Sequence, residues 1–491
     1  MKDKTGPSDL GDMSTEEFRR HGHEIIDWIA DYLGEMERFP VLSRNQPGDL
    51  KRELPRTPPL DGESMPAILA DFRDLIIPGI THWNHPAFFS YFSITGSGPG
   101  ILGELLCSAL NVNAMLWKTS PAATELEEVT LDWLRQMLGL PDSFWGIIYD
   151  TASVSTLHAL VAARECVAGL SPRQKGLDGK GGRLALYQSE HAHSSVEKAA
   201  ITVGIGQEAV RKIASDAAFR MDPKALESAI QKDISAGWRP FCVVATVGTT
   251  STTSVDPLPE IAAVCRKYHL WLHVDAAYAG PAAILPEMKW VLEGADQADS
   301  IVTNPHKWLF TPIDLSVFYC QRPDVLRRAF SLVPEYLKTN VDDTVTNYMD
   351  YGIQLGRRFR ALKLWMILRY FGQKGIEARI RRQIGWAQEL AEWLDSDPEF
   401  ERMAPTPFST LCFRAKPKAL AADEKALEQL NGELLERVND SGEAFLSHTK
   451  LNDRFTLRLA IGNIKTERRH LDRAVEILRQ ALAELKEERG I

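Results

Sequence analysis

Between about residue 120 and residue 320 the chain alternates short apolar runs with stretches of helical periodicity. No other feature limits the possible folds as strongly. The runs are Leu184–Tyr187, Phe241–Val247, Leu270–Val274, Ser300–Thr303 and Ser316–Tyr319. Helical patterns lie around them: Leu126–Leu138, a stretch from near Val154 to Arg164, and one opened by Asp256-Pro257-Leu258-Pro259 with Ile261, Val264 and Cys265 turned inward. Strands apolar on both faces need cover on both faces, and intervening helices supply it. The expectation is an α/β fold with a mostly parallel central sheet covered by helices. In such sheets ligands bind at the carboxyl ends of the strands.

Two regions flank this core. Ser14 and Glu17 have capping-box spacing, and Phe18, Ile25, Ile29, Tyr32 and Leu33 then share one helical face. Residues 40–66 carry six prolines and read as an extended arm without regular structure. A helix and an arm cannot enclose a core, so this piece should pack on the main body or on a second subunit. After about residue 385 a helical stretch (Trp386–Leu394), strands at Thr410–Arg414 and Phe455–Ala460, and a charged helix from Glu467 suggest a small α+β domain. The expected division is an N-terminal helical arm and dimerisation segment (1–96), a large domain (97–385) and a small C-terminal domain (386–491). A chain of 491 residues exceeds what one core supports.

A net charge of -9 argues against partners that need a concentrated positive field, such as nucleic acid or an anionic membrane. The short basic run Arg379, Arg381 and Arg382 reads as a solvated helix face. The opening MKDKTGPSDLGD lacks the apolar centre of a secretory signal, and no run of about 18 apolar residues could span a bilayer. Six scattered cysteines without a CxxC pair suit free thiols, with neither a disulfide framework nor a metal site. A cytoplasmic protein is expected.

Three segments at expected strand ends carry unusual residues. Asp275 directly follows an apolar run, where desolvation demands a cationic partner or several hydrogen bonds. Read alone it fits a turn or helix-capping aspartate, or an acid that keeps a pyridine nitrogen protonated. Lys307, in Thr303-Asn304-Pro305-His306-Lys307-Trp308, also follows an apolar run. Alone it fits a lysine that snorkels to the surface as well as a buried, neutral amine that attacks an aldehyde. Asp275 and Lys307 lie 32 residues apart, about one strand–helix–strand crossover, so adjacent strands can present them to one ligand. Asp150-Thr151-Ala152-Ser153 opens a helix and offers hydroxyls and free N–H groups, which suits an ordinary cap or an anion site. Together, an anion site, a buried acid and a strand-end lysine are the anchors that pyridoxal 5'-phosphate (PLP) requires. The Gly96-Ser97-Gly98-Pro99-Gly100 stretch follows no convincing strand and reads as a turn entering a helix.

These residues carry a wider likeness. HVDAAYAG (273–280) and NPHKWL (304–309) resemble the aromatic-L-amino-acid decarboxylase family, the group II decarboxylases among fold-type I PLP enzymes. THW (81–83), HPAFFSYF (85–92), SPAATELE (120–127), AHSSVEKA (192–199), TVGTT (246–250), PEYLK (334–338) and LGRRFRALKLW (355–365) extend it in order through nearly the whole chain. The resemblance implies that Lys307 holds PLP covalently, that Asp275 pairs with the pyridine nitrogen, and that Ala277 lies against the ring. Thr151, Ala152, Ser153, Asn304 and His306 would surround the phosphate. His193 would stack on the other ring face near the substrate carboxylate, with Thr250 supporting it and Lys307. His191 is not at the matching position and is read as non-catalytic. Tyr336, in the aperiodic stretch 334–352 that suits a water-excluding lid, would return a proton to the substrate carbon.

Decarboxylation of an aromatic L-amino acid to amine and CO2 is the implied reaction. Relatives with phenylalanine at the tyrosine, or asparagine at the stacking histidine, tend toward oxidative deamination to aldehydes. A catalytically silent PLP-binding scaffold is the remaining alternative. Trp83, Tyr91 and Phe92 would wall the pocket for a flat side chain. No arginine stands at an evident side-chain carboxylate position. Gly356 matches a position where glycine accompanies indole-accepting pockets. Ser93 and Ile94, with Asn113 and Met115, depart from the residues found nearby in relatives and leave the preferred ring open. The N-terminal segment resembles the family's dimerising part, which implies a homodimer with shared active sites.

Overall fold

The computed structural model describes residues 11–177, 182–332 and 344–491. Its centre is a seven-stranded sheet of β1 (Trp145–Tyr149), β2 (Arg183–Ser189), β3 (Val210–Ile213), β4 (Trp238–Thr246), β5 (Trp271–Asp275), β6 (Ser300–Thr303) and β7 (Ser316–Cys320). The spatial order is β1-β7-β6-β5-β4-β2-β3. β7 runs antiparallel to both of its neighbours, and the other pairings are parallel. Every apolar run expected to be a strand is one, and the sheet is mostly parallel as expected. β1 and β3 join it without having been foreseen.

Ten helices are used below. They are α1 (Thr15–Gly34), α2 (Gly98–Leu110), α3 (Pro121–Leu138), α4 (Ala152–Glu165), α5 (Ser195–Thr202), α6 (Pro223–Ser235), α7 (Leu258–Tyr268), α8 (Ala361–Ser396), α9 (Glu424–Asp440) and α10 (Arg468–Arg489). β2 and β4 to β7 are largely apolar because both faces are covered. Val243 and Ala245 of β4 pack with Leu134 of α3, Ile230 of α6 and Ile261 of α7 in one core. Cys242 and Val244 of the same strand join Leu160 of α4 and Val196 of α5 in another. All six cysteines are unpaired. Among the described residues, no helix is long and apolar enough to cross a membrane.

A second, antiparallel sheet of β8 (Phe400–Arg402), β9 (Thr410–Ala415), β10 (Ser447–Leu451) and β11 (Arg454–Ala460), in the order β10-β11-β9-β8, packs under α9 and α10. The arm joins this smaller core through Val41, Ala87, Phe88 and Phe89. Phe89 N–H donates to Phe445 O at 2.9 Å, and Ala460 N–H to Phe89 O at 2.8 Å. The arm is more regular than its prolines suggested: Asp49–Glu53 forms a helical turn in the gap between Pro47 and Pro55. The Ser14–Glu17 capping box forms in full, yet Phe18 of the expected apolar face is 65% exposed.

The helical stretch expected at Trp386–Leu394 is the far end of α8, which breaks at Gly372 (φ 61°, ψ 168°) and continues. Ile376 and Ile380 pack in the large core, Ala387 and Leu390 in the small one. The helix therefore passes from one core to the other between Ile380 and Ala387.

Candidate active site

Lys307 lies in the helical turn Pro305–Trp308 directly after β6. The turn is pinned by its neighbours. Asn304 N–H donates to Ala277 O at 3.1 Å, and buried Trp308 stacks on Tyr278 and donates to Gln383 at 2.7 Å. β6 pairs with β5 so that Asp275 sits opposite Val302, which brings the acid beside the lysine. Burial pushes the Lys307 amine below its ordinary pKa, and the Asp275 carboxylate opposes that shift. The side chain places its nitrogen over the Phe92 ring, 5.2 Å from the ring centre. Asp275 is itself buried, and its Oδ1 accepts from Ala277 N–H at 3.1 Å.

His193 follows β2 and precedes α5. Its Nδ1 accepts from Ser195 N–H at 3.1 Å, so the neutral ring carries its proton on Nε2. Burial lowers its pKa, Asp275 raises it and Lys307 lowers it again. His306 is held similarly: Nδ1 accepts from Leu315 N–H at 2.9 Å, and burial pushes its pKa down to about 3. At the start of α4, Thr151 is the N-cap but makes no side-chain capping bond, which leaves the first N–H groups of the helix for another acceptor.

One cavity of about 330 Å³ collects most of the candidates: Trp83, Tyr91, Phe92, Ile94, Thr151, Ala152, Ser153, His193, Thr250, Asp275, Ala277, Asn304, His306 and Lys307. Ser93 is not among its lining residues. It is buried, and its hydroxyl donates to Phe88 O at 3.1 Å. Asn113, Met115 and Gly356 form a separate group. There Asn113 Oδ1 accepts from Arg357 N–H at 2.9 Å, and a Cβ added at Gly356 would meet only Asn113 Nδ2, at 3.9 Å. Tyr336 lies outside the described residues.

The cavity also exposes residues the sequence reading passed over: Thr246, Gly248, Ser195, Tyr278 and Arg458. Thr246 sits opposite Asp275 in the β4–β5 register, at the end of an apolar run. Arg458 is only 4% exposed in the middle of β11. Its Nε donates to Ser251 O at 2.8 Å, its guanidinium lies 5.2 Å from the Phe92 ring centre, and its Nη2 has no partner among the described residues. An arginine inside the apolar run Phe455–Ala460 was the signal for it.

The residues fit PLP. Asn304 Oδ1 and Thr246 Oγ1 are buried without a partner among the described residues. An unmet buried polar group costs about 1–3 kcal/mol, so two of them around one cavity point to a polar occupant. The helix start suits a phosphate, Asp275 a protonated ring nitrogen and Lys307 an aldehyde.

Comparison with known proteins agrees. Tyrosine decarboxylase 3 of Petroselinum crispum is 44% identical over 481 residues, covering 96% of this chain and 92% of that protein. Phenylacetaldehyde synthase of Arabidopsis thaliana is 40% identical, covering 96% and 97%. The crystal structure of Oryza sativa TDC with PLP and tryptamine superposes with a TM-score of 0.93 at 38% identity, covering 97% of this chain and all of that one. The fold is that of the fold-type I PLP decarboxylases, and PLP is the cofactor. Residues 47–416 match the pyridoxal-dependent decarboxylase conserved domain, and the chain belongs to that family.

Proposed function

We propose that the protein converts an aromatic L-amino acid to the corresponding amine and CO2. The observation that carries this is the meeting of Lys307, Asp275 and His193 around one cavity that Trp83, Tyr91 and Phe92 also line. PLP, when bound, supplies a carbonyl that condenses with amines and a ring that accepts the electrons left by CO2. The chain's part is placement. Thr151, Ala152, Ser153, Asn304 and His306 would hold the phosphate, and Ala277 leaves room for the ring. Asp275 would keep the ring nitrogen protonated. Burial keeps the Lys307 amine ready to exchange with the substrate amine. His193 would present Nε2–H toward the substrate carboxylate, with Thr250 beside it in the lining. The spare nitrogen of Arg458 offers that carboxylate a second donor. Tyr336 would return the proton to the substrate carbon, a role resting on the likeness of residues 334–338 to the family.

Exposed apolar side chains on α1 (Phe18, Ile25, Ile26) and α2 (Leu102, Leu105, Leu106, Leu110) support a homodimer. In it the Asn113, Met115 and Gly356 group would complete the pocket of the partner. An active monomer by light scattering would contradict this. Six unpaired thiols support a cytoplasmic location. The deciding experiment measures CO2, amine, aldehyde, ammonia and peroxide from tryptophan, tyrosine, DOPA, phenylalanine, glutamate and cysteine sulfinate. Amine and CO2 from an aromatic substrate are expected. Stoichiometric aldehyde, ammonia and peroxide would replace this reading with oxidative deamination, and CO2 from the acidic substrates alone would remove the aromatic assignment.

A further inference from the structure

Behind the anion end of the cavity stands a group of charges that does not line it. Asp150 is the last residue before Thr151, so its carboxylate lies beside the turn that faces a bound phosphate. Left alone, a negative charge there works against the phosphate. Two side chains hold it. Gln354 Nε2 donates to Asp150 Oδ2 at 2.6 Å, and Arg360 Nη2 lies 2.6 Å from Asp150 Oδ1. Through Nε the same guanidinium donates to Asp314 Oδ1 at 2.9 Å, and only 11% of the Arg360 side chain is exposed.

Asp314 belongs to the loop that follows Lys307, which is folded back by the bond from Leu315 N–H to His306 Nδ1. One turn further along α8, Lys363 Nζ donates to Pro312 O at 2.9 Å. The first turn of α8 therefore grips the lysine loop at two points and the phosphate side at a third. A cross-tie matters here because β1, which leads to Asp150, and β6, which leads to Lys307, are not neighbours; β7 lies between them. A small rigid cofactor must nonetheless be met at both ends at a set spacing.

We infer that Arg360 is a positioning residue for the cofactor phosphate, masking the Asp150 carboxylate and tying the start of α4 to the loop after Lys307. The inference rests on PLP as the occupant of the cavity. Its arginine fork suits the task, since one planar group reaches two carboxylates.

The test titrates the full-length protein, freed of cofactor, with PLP and with pyridoxal, which lacks the phosphate. Protein fluorescence reports binding. Arg360→Gln is expected to weaken PLP about tenfold to a hundredfold and pyridoxal less than about threefold. Combining Asp150→Asn with Arg360→Gln is expected to recover at least about threefold of the PLP affinity, because the unmasked charge is gone. Equal weakening of both ligands, or a double variant no better than the single one, would overturn the inference. Should Arg360→Gln fail to fold, Arg360→Lys keeps the charge but not the fork. A loss confined to PLP is expected there too, and an equal loss of both ligands counts against the role. A wild-type protein that does not prefer PLP to pyridoxal would instead mean that the cofactor reading itself is wrong.

Discussion

Lys307 and Lys363 are both lysines whose pKa burial pushes down, yet they sit in different company. The Lys363 amine is held by Glu104 at 2.5 Å and by Pro312 O at 2.9 Å. Lys307 has the Phe92 ring and the Asp275 charge, and its nitrogen makes no hydrogen bond among the described residues. An amine that is half-buried and unengaged is the one free to react. Lys307→Ala is expected to abolish the visible absorbance of covalently bound PLP and to cut kcat at least about a thousandfold. Retention of that absorbance would show that another group carries the cofactor. The proposed proton donor is tested by product: Tyr336→Phe should divert turnover toward aldehyde, ammonia and peroxide, read as oxygen uptake per CO2 released. Unchanged partitioning would remove Tyr336 from the reaction. Sequence was a good guide at this scale because Asp275, Lys307 and the Thr151–Ser153 turn each break an apolar or periodic pattern at its end. Arg458 breaks one in the middle, and the spacing of β11 gave no hint that the strand would face the cavity.

Elements with both faces buried were legible for a simple reason: apolar residues dominate them, and the polar side chains they hold, such as His273 of β5, are themselves buried. β2, β4, β5, β6 and β7 are all of this kind. β10 alternates buried and exposed positions at the edge of the small sheet, and β3 is an edge strand with Lys212 exposed. Such strands carry no uninterrupted apolar run and escaped notice. β1 was hidden by Gly146, which looks like a turn residue but answers to packing: a Cβ there would meet Leu131 and Tyr319 at 3.0 Å. Helix contacts show the same logic more sharply. α2 crosses α8 so closely that a Cβ on Gly103 would stand 2.7 Å from the Lys363 Cα. That close approach also sets the Lys363 contacts described above. Gly103→Ala is expected to destabilise the protein by about 1–3 kcal/mol, measured as a lower urea midpoint with unchanged slope. An unchanged midpoint would mean that the two helices separate without cost.

Across the whole molecule, several histidines are buried in the neutral form. Burial holds His158 and His306 at a pKa of about 3 and His273 at about 4. In the unfolded chain each returns to about 6.5. Below that value the unfolded state binds protons that the folded state refuses, so stability is full above about pH 6.5 and falls as the pH drops toward 4. Each of the three histidines removes about 2 kcal/mol by pH 5. The expected result is a Tm that declines steeply between pH 6.5 and 5, and a flat Tm over that range would show that these rings are protonated in the folded protein. α8 gives the unfolding its character. Since one helix supplies Ile376 to the large core and Leu390 to the small one, the two cores share a beam.

The arm has a consequence of another kind. The groups proposed to hold the cofactor come from residues 151 to 307, at the strand ends of the large sheet. Of the aromatic wall, Trp83 and Tyr91 stand on the arm that joins the smaller core, while Phe92 packs on the large core and stacks on Tyr278. Trp83 and Tyr91 are thus carried apart from the residues proposed to hold the cofactor, on a separate foundation. A lineage built this way can reshape that part of the pocket by editing the arm, while residues 151 to 307 stay unchanged.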